Sequence, residues 1–257
     1  MEEIRRVAVV NDLSGFGRCS LTVSIPILSA MGFQVCPVPT AVLSSHTGYP
    51  DPLIRDFSGD MEDYLSHWDR LGLTFACGHT GFLGDERQAD VLEPFLRRLG
   101  EQGALRLVDP AMADHGKLYS SCSESLIPAM ARLVSVASVA TPNLTELCLL
   151  TGEDYRAVMA DRDRRGRVEV MARRLLTDGC GAVVVTGGCV GSGFCSCVSF
   201  PLSQTTTPAR MASRQTSAAT SHFKFRFFMA GYLPFCVCLI NEKSHSHRVW
   251  SCFSNST

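Results

Sequence analysis

"LTFACGHTGFLGDERQADVLEPFLRRLGEQGALRLVDP", residues 73–110, contains one complete unit of the pattern from which the fold is read. It opens on an apolar run, LTFACGH (73–79), and closes on another, ALRLVDP (104–110). Both are short and aliphatic, as strands buried on two faces are. Between them, DERQADVLEPFLRRLG (85–100) has an acidic start, Leu and Phe at helical spacing, basic residues in its last turn and a closing Gly. Working outward, RVAVVND (6–12) and FQVCPV (33–38) precede this unit, and VSVASVATP (134–142) and GAVVVTGG (181–188) follow it. Helix-like stretches fill 19–32, 123–133, 143–151 and 168–178. Such alternation predicts an α/β fold with a mostly parallel central sheet and helices on both faces.

A chain of 257 residues suits one large α/β domain. With 46% hydrophobic residues, 19% charged and a net charge of -1, the composition is that of an ordinary globular protein. Near-neutral charge gives no electrostatic case for nucleic acid or an anionic membrane as partner. The N-terminus lacks the long apolar stretch and small-residue cleavage site of a secretory signal, so a cytoplasmic location is expected. No segment has the roughly 18 uninterrupted apolar residues of a membrane span, and MAGYLPFCVCLI (229–240) is short and interrupted by Pro234. Cys19, Cys36, Cys77, Cys122, Cys148 and Cys180 stand singly among apolar or small neighbours and read as small hydrophobes. Cys195/Cys197 and Cys236/Cys238 are C-x-C pairs without the spacing of a zinc ribbon, and His245/His247 reads as accidental.

In parallel sheets the chemistry gathers at the carboxyl ends of the strands. After the first run comes NDLSGFGRCS, where Gly15 and Gly17 allow close backbone approach and Ser14 offers a hydroxyl; a tight strand-to-helix turn is the other reading. After the second comes AVLSSHTGYPDP, whose His, Thr and Tyr suit a polar aromatic ligand, unless His46 only caps a backbone group. DPAMADHGKLY places Asp109 at a strand end with Asp114 beyond it; two carboxylates suit Mg²⁺, and either could instead cap a helix. TPNLTELCLLTG reads as a helix start, with Thr141 or Asn143 as cap and Glu146 in the first turn.

Taken in order, "SGFG", "HTGY", "DPAMADHGKLY" and "TPNLTE" resemble the pyridoxal kinase family of the ribokinase-like superfamily, over about residues 5 to 190. The resemblance implies a three-layer ribokinase-like sandwich and transfer of the ATP γ-phosphoryl to the 5′-hydroxyl of pyridoxal, pyridoxine or pyridoxamine. It also implies Mg²⁺ with ATP, a possible monovalent cation and a homodimer. Carried over position by position, Ser14, His46 and Thr47 contact the pyridine ring and its substituents, with Tyr119 close to that pocket or to the phosphates. Asp109, Asn143 and Thr186 belong to the ATP side, and Asp114 and Glu146 to the metal. A hydroxymethylpyrimidine kinase shares the scaffold; "HTGY" favours the pyridoxal side.

The family carries one further motif, roughly His-Tyr-Pro-Gly-Thr-Gly-Asp-x-Phe-Ala-Ser, whose Asp is the general base and whose glycines form an anion hole. In this sequence no Asp follows Asp178 and Gly-Thr-Gly-Asp is absent. The expected place is held by TTTPARMASRQTSAATSHFKF (205–225), rich in Thr and Ser and without an acid. Joining the third base of each codon to the first two of the next lets Thr205–Gln215 spell His-Tyr-Pro-Gly-Thr-Asp-Gly-Phe-Ala-Ser, with the Asp-Gly order reversed. The expectation is therefore a kinase core over 1–190 lacking its last elements. It is followed by an aberrant tail over 191–257, out of frame from about 190–204, in a chain of impaired activity or a non-catalytic pyridoxal binder.

Overall fold

In the computed structural model the described residues are 5–186 and the backbone of 197–199. The alternation expected from the sequence is present. The first half runs β1 (Arg6–Ser14), α1 (Ser20–Ala30), β2 (Gln34–Leu43), β3 (Ile54–Asp56), α2 (Met61–Arg70), β4 (Cys77–Thr80) and α3 (Glu86–Glu101). The second half runs β5 (Leu105–Val108), β6 (Ala113–Asp114), β7 (Lys117–Leu118), α4 (Leu126–Ser135), β8 (Val139–Ala140), α5 (Leu144–Thr151), α6 (Tyr155–Ala160), α7 (Arg164–Thr177), β9 (Ala182–Val184) and β10 (Cys197–Ser199). The expectations placed on residues 191–257, including the tail, the missing motif, the C-x-C pairs and His245/His247, lie outside the described residues apart from the backbone of β10.

All six apolar runs became strands of one sheet, ordered β10-β9-β8-β5-β4-β1-β2-β3. Every pairing from β9 to β2 is parallel, and only the outer strands β3 and β10 run antiparallel to their neighbours. The pleat sorts the side chains of β1 onto two faces. Ala8 and Val10 join a large core with Leu92, Leu96, Met130, Leu133, Leu147 and Met171 from the helices after β3. Val7 and Val9 pack on Leu21 of α1 in a smaller cluster with Ile25, Leu28, Val35 and Cys77.

The same alternation continues across the sheet. Gly78, Thr80, Val108, Ala140 and Val183 are buried, whereas Cys77, Leu107, Val139 and Ala182 are only partly so. Among the described residues, α1 is the one helix on the second face. Of the cysteines foreseen as small hydrophobes, Cys148 and Cys180 are buried, the other four are half-buried, and all six are free thiols. Among the described residues no helix is long and apolar enough to cross a membrane.

Several elements, strand β3 among them, departed from the sequence reading. DPAMADHGKLY folds into the hairpin β6–β7, and His115 (φ 51) and Gly116 (φ 76) make its turn, so neither Asp109 nor Asp114 caps a helix. Helix α2 buries Met61 and Leu65, and Tyr64 and Trp68 pack at its border with the core. Helix α6 is a short segment started by the Asp154 side chain, which accepts from the Ala157 amide.

Candidate active site

Because β1, β2, β4, β5, β8 and β9 are parallel, their carboxyl ends share one edge, and the residues foreseen for ligand binding collect there as two groups.

The first group forms where β1 and β2 end. The Gly15 amide donates to the Leu43 carbonyl (2.8 Å) and the His46 amide to the Phe16 carbonyl (2.9 Å), which stitches the SGFG loop to the HTGY loop. The His46 ring is wedged between two glycines: a Cβ at Gly17, whose φ is +115, would collide with Cδ2, and one at Gly48 would meet Cε1. Its Nδ1 accepts the Gly48 amide (2.9 Å), so the neutral ring carries its proton on Nε2, where it can be donated. The backbone-capping role considered for His46 is thus present and leaves the other nitrogen free to act. Tyr49 lies 4.7 Å from the His46 ring and 5.1 Å from Phe16, centroid to centroid. Phe16 is 60% exposed and Tyr49 42%, an uncovered aromatic pair at the mouth of the cluster. Thr47 is exposed. Ser14 is fully buried, and its hydroxyl donates to Asp12 Oδ2 (2.9 Å).

The second group forms where β5, β8 and β9 end. Asn143 caps α5: its Oδ1 accepts the Glu146 amide (2.9 Å) while Glu146 Oε2 accepts the Asn143 amide (2.8 Å). This capping box answers the alternative left open at TPN in favour of Asn143. Glu146 Oε1 also accepts the Met112 amide (3.2 Å), and Asn143 Nδ2 donates to the Ala113 carbonyl (2.7 Å), tying the hairpin to the helix start. The Gly116 amide donates to Thr145 Oγ1 (2.9 Å). Thr186 pairs with Asn143 in a parallel bridge, its amide on the Pro142 carbonyl (2.9 Å).

Asp109 follows β5, its amide on the Thr80 carbonyl (2.9 Å). Burial raises its carboxyl to about 7. Glu146 is raised well above the usual carboxylate range, first by burial and then by the charge of Asp109. Burial pushes the Tyr119 phenol up too, followed by Glu146, Asp114 and Asp109, which sets four acidic groups in one neighbourhood. Asp114 and Tyr119 are the exposed members, and Asp114 Oδ1 accepts the His115 amide (2.7 Å).

Neither Asp109 nor Glu146 has an ion-pair partner among the described residues. Among those residues no cluster of three or more His, Cys, Asp or Glu is close enough to hold a metal alone. That donor set fits Mg²⁺, which takes one or two carboxylates and completes its shell with water and phosphate oxygens.

Two residues at this edge were missed from the sequence. Asn11 Oδ1 accepts the amides of Asp12 and Phe82 (3.0 Å each), joining the β4 loop to β1. Asp12 is 6% exposed and accepts from Ser14 and Ser20. The available signal was their place: two polar residues closing an apolar run at a strand end.

The family model of phosphomethylpyrimidine kinases matches residues 72–219, more than half of the chain and past the described residues. A pyridoxine/pyridoxal/pyridoxamine kinase of Bordetella avium is 36% identical over 185 residues, 66% of this chain and 57% of that protein. A pyridoxal kinase of Rubrobacter xylanophilus is 28% identical over 178 residues, 66% of this chain and 58% of that protein. The chain thus spans less than three fifths of the length of these relatives. A Bacteroides thetaiotaomicron structure carrying the description phosphomethylpyrimidine kinase, in a crystal form with pyridoxal, superposes with a TM-score of 0.69 at 40% identity, over 73% of this chain and 64% of that one. The pyridoxal kinase of Lactobacillus plantarum gives 0.65 at 30% identity, over 76% and 68%. The strand ends that carry the two polar groups fall within a scaffold these proteins share, and the chain belongs to the phosphomethylpyrimidine kinase family, in which it is similar to pyridoxal kinases.

Proposed function

We propose that the chain binds a B6 vitamer at the β1–β2 end of this edge and ATP at the β5–β8–β9 end, for phosphoryl transfer to the vitamer 5′-hydroxyl. The observation that carries this reading is the division of one sheet edge into an aromatic cluster with a donor imidazole and a pair of buried, unpaired carboxyls. A pyridine ring suits the first, by stacking and hydrogen bonding. Polyphosphate with its cation suits the second. The relatives named as pyridoxal kinases and the structure with pyridoxal support it.

In this reading His46 Nε2–H donates to a ring substituent, and Thr47 offers its exposed hydroxyl beside it. Ser14 acts from beneath, through the loop it braces. Asn143 and Thr186 border the phosphates, and Tyr119 closes the space between the two ends. Mg²⁺ held near Asp109, Asp114 and Glu146 would neutralise phosphate charge. Both Glu146 oxygens already accept backbone amides, which suits contact with the cation through water. A monovalent cation would add to the same neutralisation.

The family's Gly-Thr-Gly-Asp motif, which supplies both the anion hole and the general base, has no counterpart after Asp178. Losing one electrostatic donor of that kind costs about 10²–10³ in rate, and we read turnover as reduced by at least that much. The same absence favours a second reading, a protein that holds a vitamer without phosphorylating it. Both are read for a cytoplasmic protein. A homodimer is supported by the outer strand β3 beside exposed Val42, Leu53 and Ile54.

Titration calorimetry with pyridoxal, pyridoxine, pyridoxamine and hydroxymethylpyrimidine, paired with coupled ADP release, tests all of this. Vitamer binding with slow ADP release is expected. Tighter binding of hydroxymethylpyrimidine would overturn the substrate assignment, and turnover like that of an intact relative would overturn the impairment. Sequencing the nucleotides behind residues 185–225 decides the out-of-frame reading.

A further inference from the structure

We infer that Asp12 is a positioning residue: one buried carboxylate grips both ends of the loop over residues 14–20 and so fixes the aromatic end of the site. This rests on the reading that the loop faces a B6 vitamer.

Asp12 Oδ2 accepts the Ser14 hydroxyl where the loop leaves β1, and Oδ1 accepts the Ser20 hydroxyl where it enters α1. Its own amide donates to Asn11 Oδ1 (3.0 Å), the atom that also receives the Phe82 amide from the β4 loop. The β1–β2 register shifts between Asn11 and Leu13, so Asp12 sits where the ladder is irregular and side chains are re-aimed.

Two further observations support the grip. Ser20 holds φ +53, a left-handed conformation that a serine keeps only when its surroundings impose it. Helix α1 has no acidic residue in its first turn, and Asp12, reaching its first residue from the neighbouring strand, supplies negative charge where the helix dipole favours it.

The chemistry also assigns Ser14 a role. It is fully buried and its hydroxyl proton is committed to Asp12, so Ser14 acts as a brace for the loop. What the loop offers a ligand is Phe16, whose carbonyl receives the His46 amide, and through it the His46–Tyr49 pair. Asp12 therefore sets the aromatic cluster without touching the ligand.

The test uses the full chain with Asp12→Ala and the isosteric Asp12→Asn, which keeps one acceptor and guards against simple misfolding. Hydrogen exchange without ligand should rise by about tenfold or more in peptides covering 11–20 and 44–50 of Asp12→Ala, with little change over 105–110. Pyridoxal affinity should fall by about tenfold or more while ADP affinity stays near that of the parent. Asp12→Asn should lie between parent and Asp12→Ala on both readouts. Unchanged exchange at 11–20, or equal losses for pyridoxal and ADP, would overturn the assignment. A parent protein that binds no pyridoxal would count against the vitamer reading, and loop exchange would then still decide whether Asp12 is the clamp.

Discussion

At the β1–β2 end of the site the bracing groups are answered within the protein: Asp12 by two serine hydroxyls and His46 Nδ1 by a backbone amide, with rings standing over the opening. At the β5–β8 end, burial raises the carboxyls of both Asp109 and Glu146, and the charge of Asp109 raises Glu146 further. The first end is shaped before a ligand arrives, by hydrogen bonds and glycine clearances. At the second, burial favours the protonated carboxyls, and a positively charged partner would favour their ionised forms. In the proposed reading, shape at one end and charge at the other would divide the labour that phosphoryl transfer requires, positioning and neutralisation.

The largest effect that would break this contrast is expected at Glu146. Glu146→Ala strips the acceptors from two backbone amides and removes half of the capping box, so unfolding free energy should fall by about 2–4 kcal/mol in a urea titration. A loss within error of zero would show that the carboxylate end is not organised through this residue. At the other end, Gly17→Ala meets both a φ of +115 and the His46 ring. Vitamer affinity should drop by roughly tenfold or more, with ADP affinity nearly untouched. Equal losses would merge the two ends into one.

The sign of the pH dependence sharpens the comparison. Asp109 titrates near 7 when folded and near 3.8 otherwise, so between these values the folded state holds the extra proton. Stability contributed by this group is present below about pH 4 and declines as pH rises towards 7, with a slope of at most about 1.4 kcal/mol per pH unit. Asp109→Asn should flatten that slope in urea midpoints measured across the range, and added Mg²⁺ should stabilise the parent more than the variant at pH 8. The smallest effect belongs to the exposed ring: Phe16→Ala should weaken vitamer binding by about two- to tenfold, read by calorimetry.

Much of the fold could be read from the sequence because its central strands are buried on both faces and therefore appear as unbroken aliphatic runs. Strand β3, Ile-Arg-Asp, is exposed throughout and carries no such signal. Helix α2 has Met61, Tyr64, Leu65 and Trp68 at helical spacing, but its capping residue, Asp60, makes no side-chain bond and its charged residues obscure the run. In the site, Asn143 and Glu146 were legible because a capping box is a local pattern. Asp12 was not, since its partners Ser14 and Ser20 lie across a loop whose closure only the folded backbone reveals. Ser14 was noticed for its hydroxyl, and only the three-dimensional arrangement shows that hydroxyl to be spent inward.

The alternation of buried and half-buried positions along the sheet also governs how freely the sequence can drift. A saturation library over β5 and β8, scored by soluble yield, should show a stripe of period two. Leu107 and Val139, partly buried among the described residues, should lose less to Thr or Gln than Val108 and Ala140, which belong to the large core. The two strands would then record in their tolerated substitutions which side of the sheet the protein guards and which it leaves open to change.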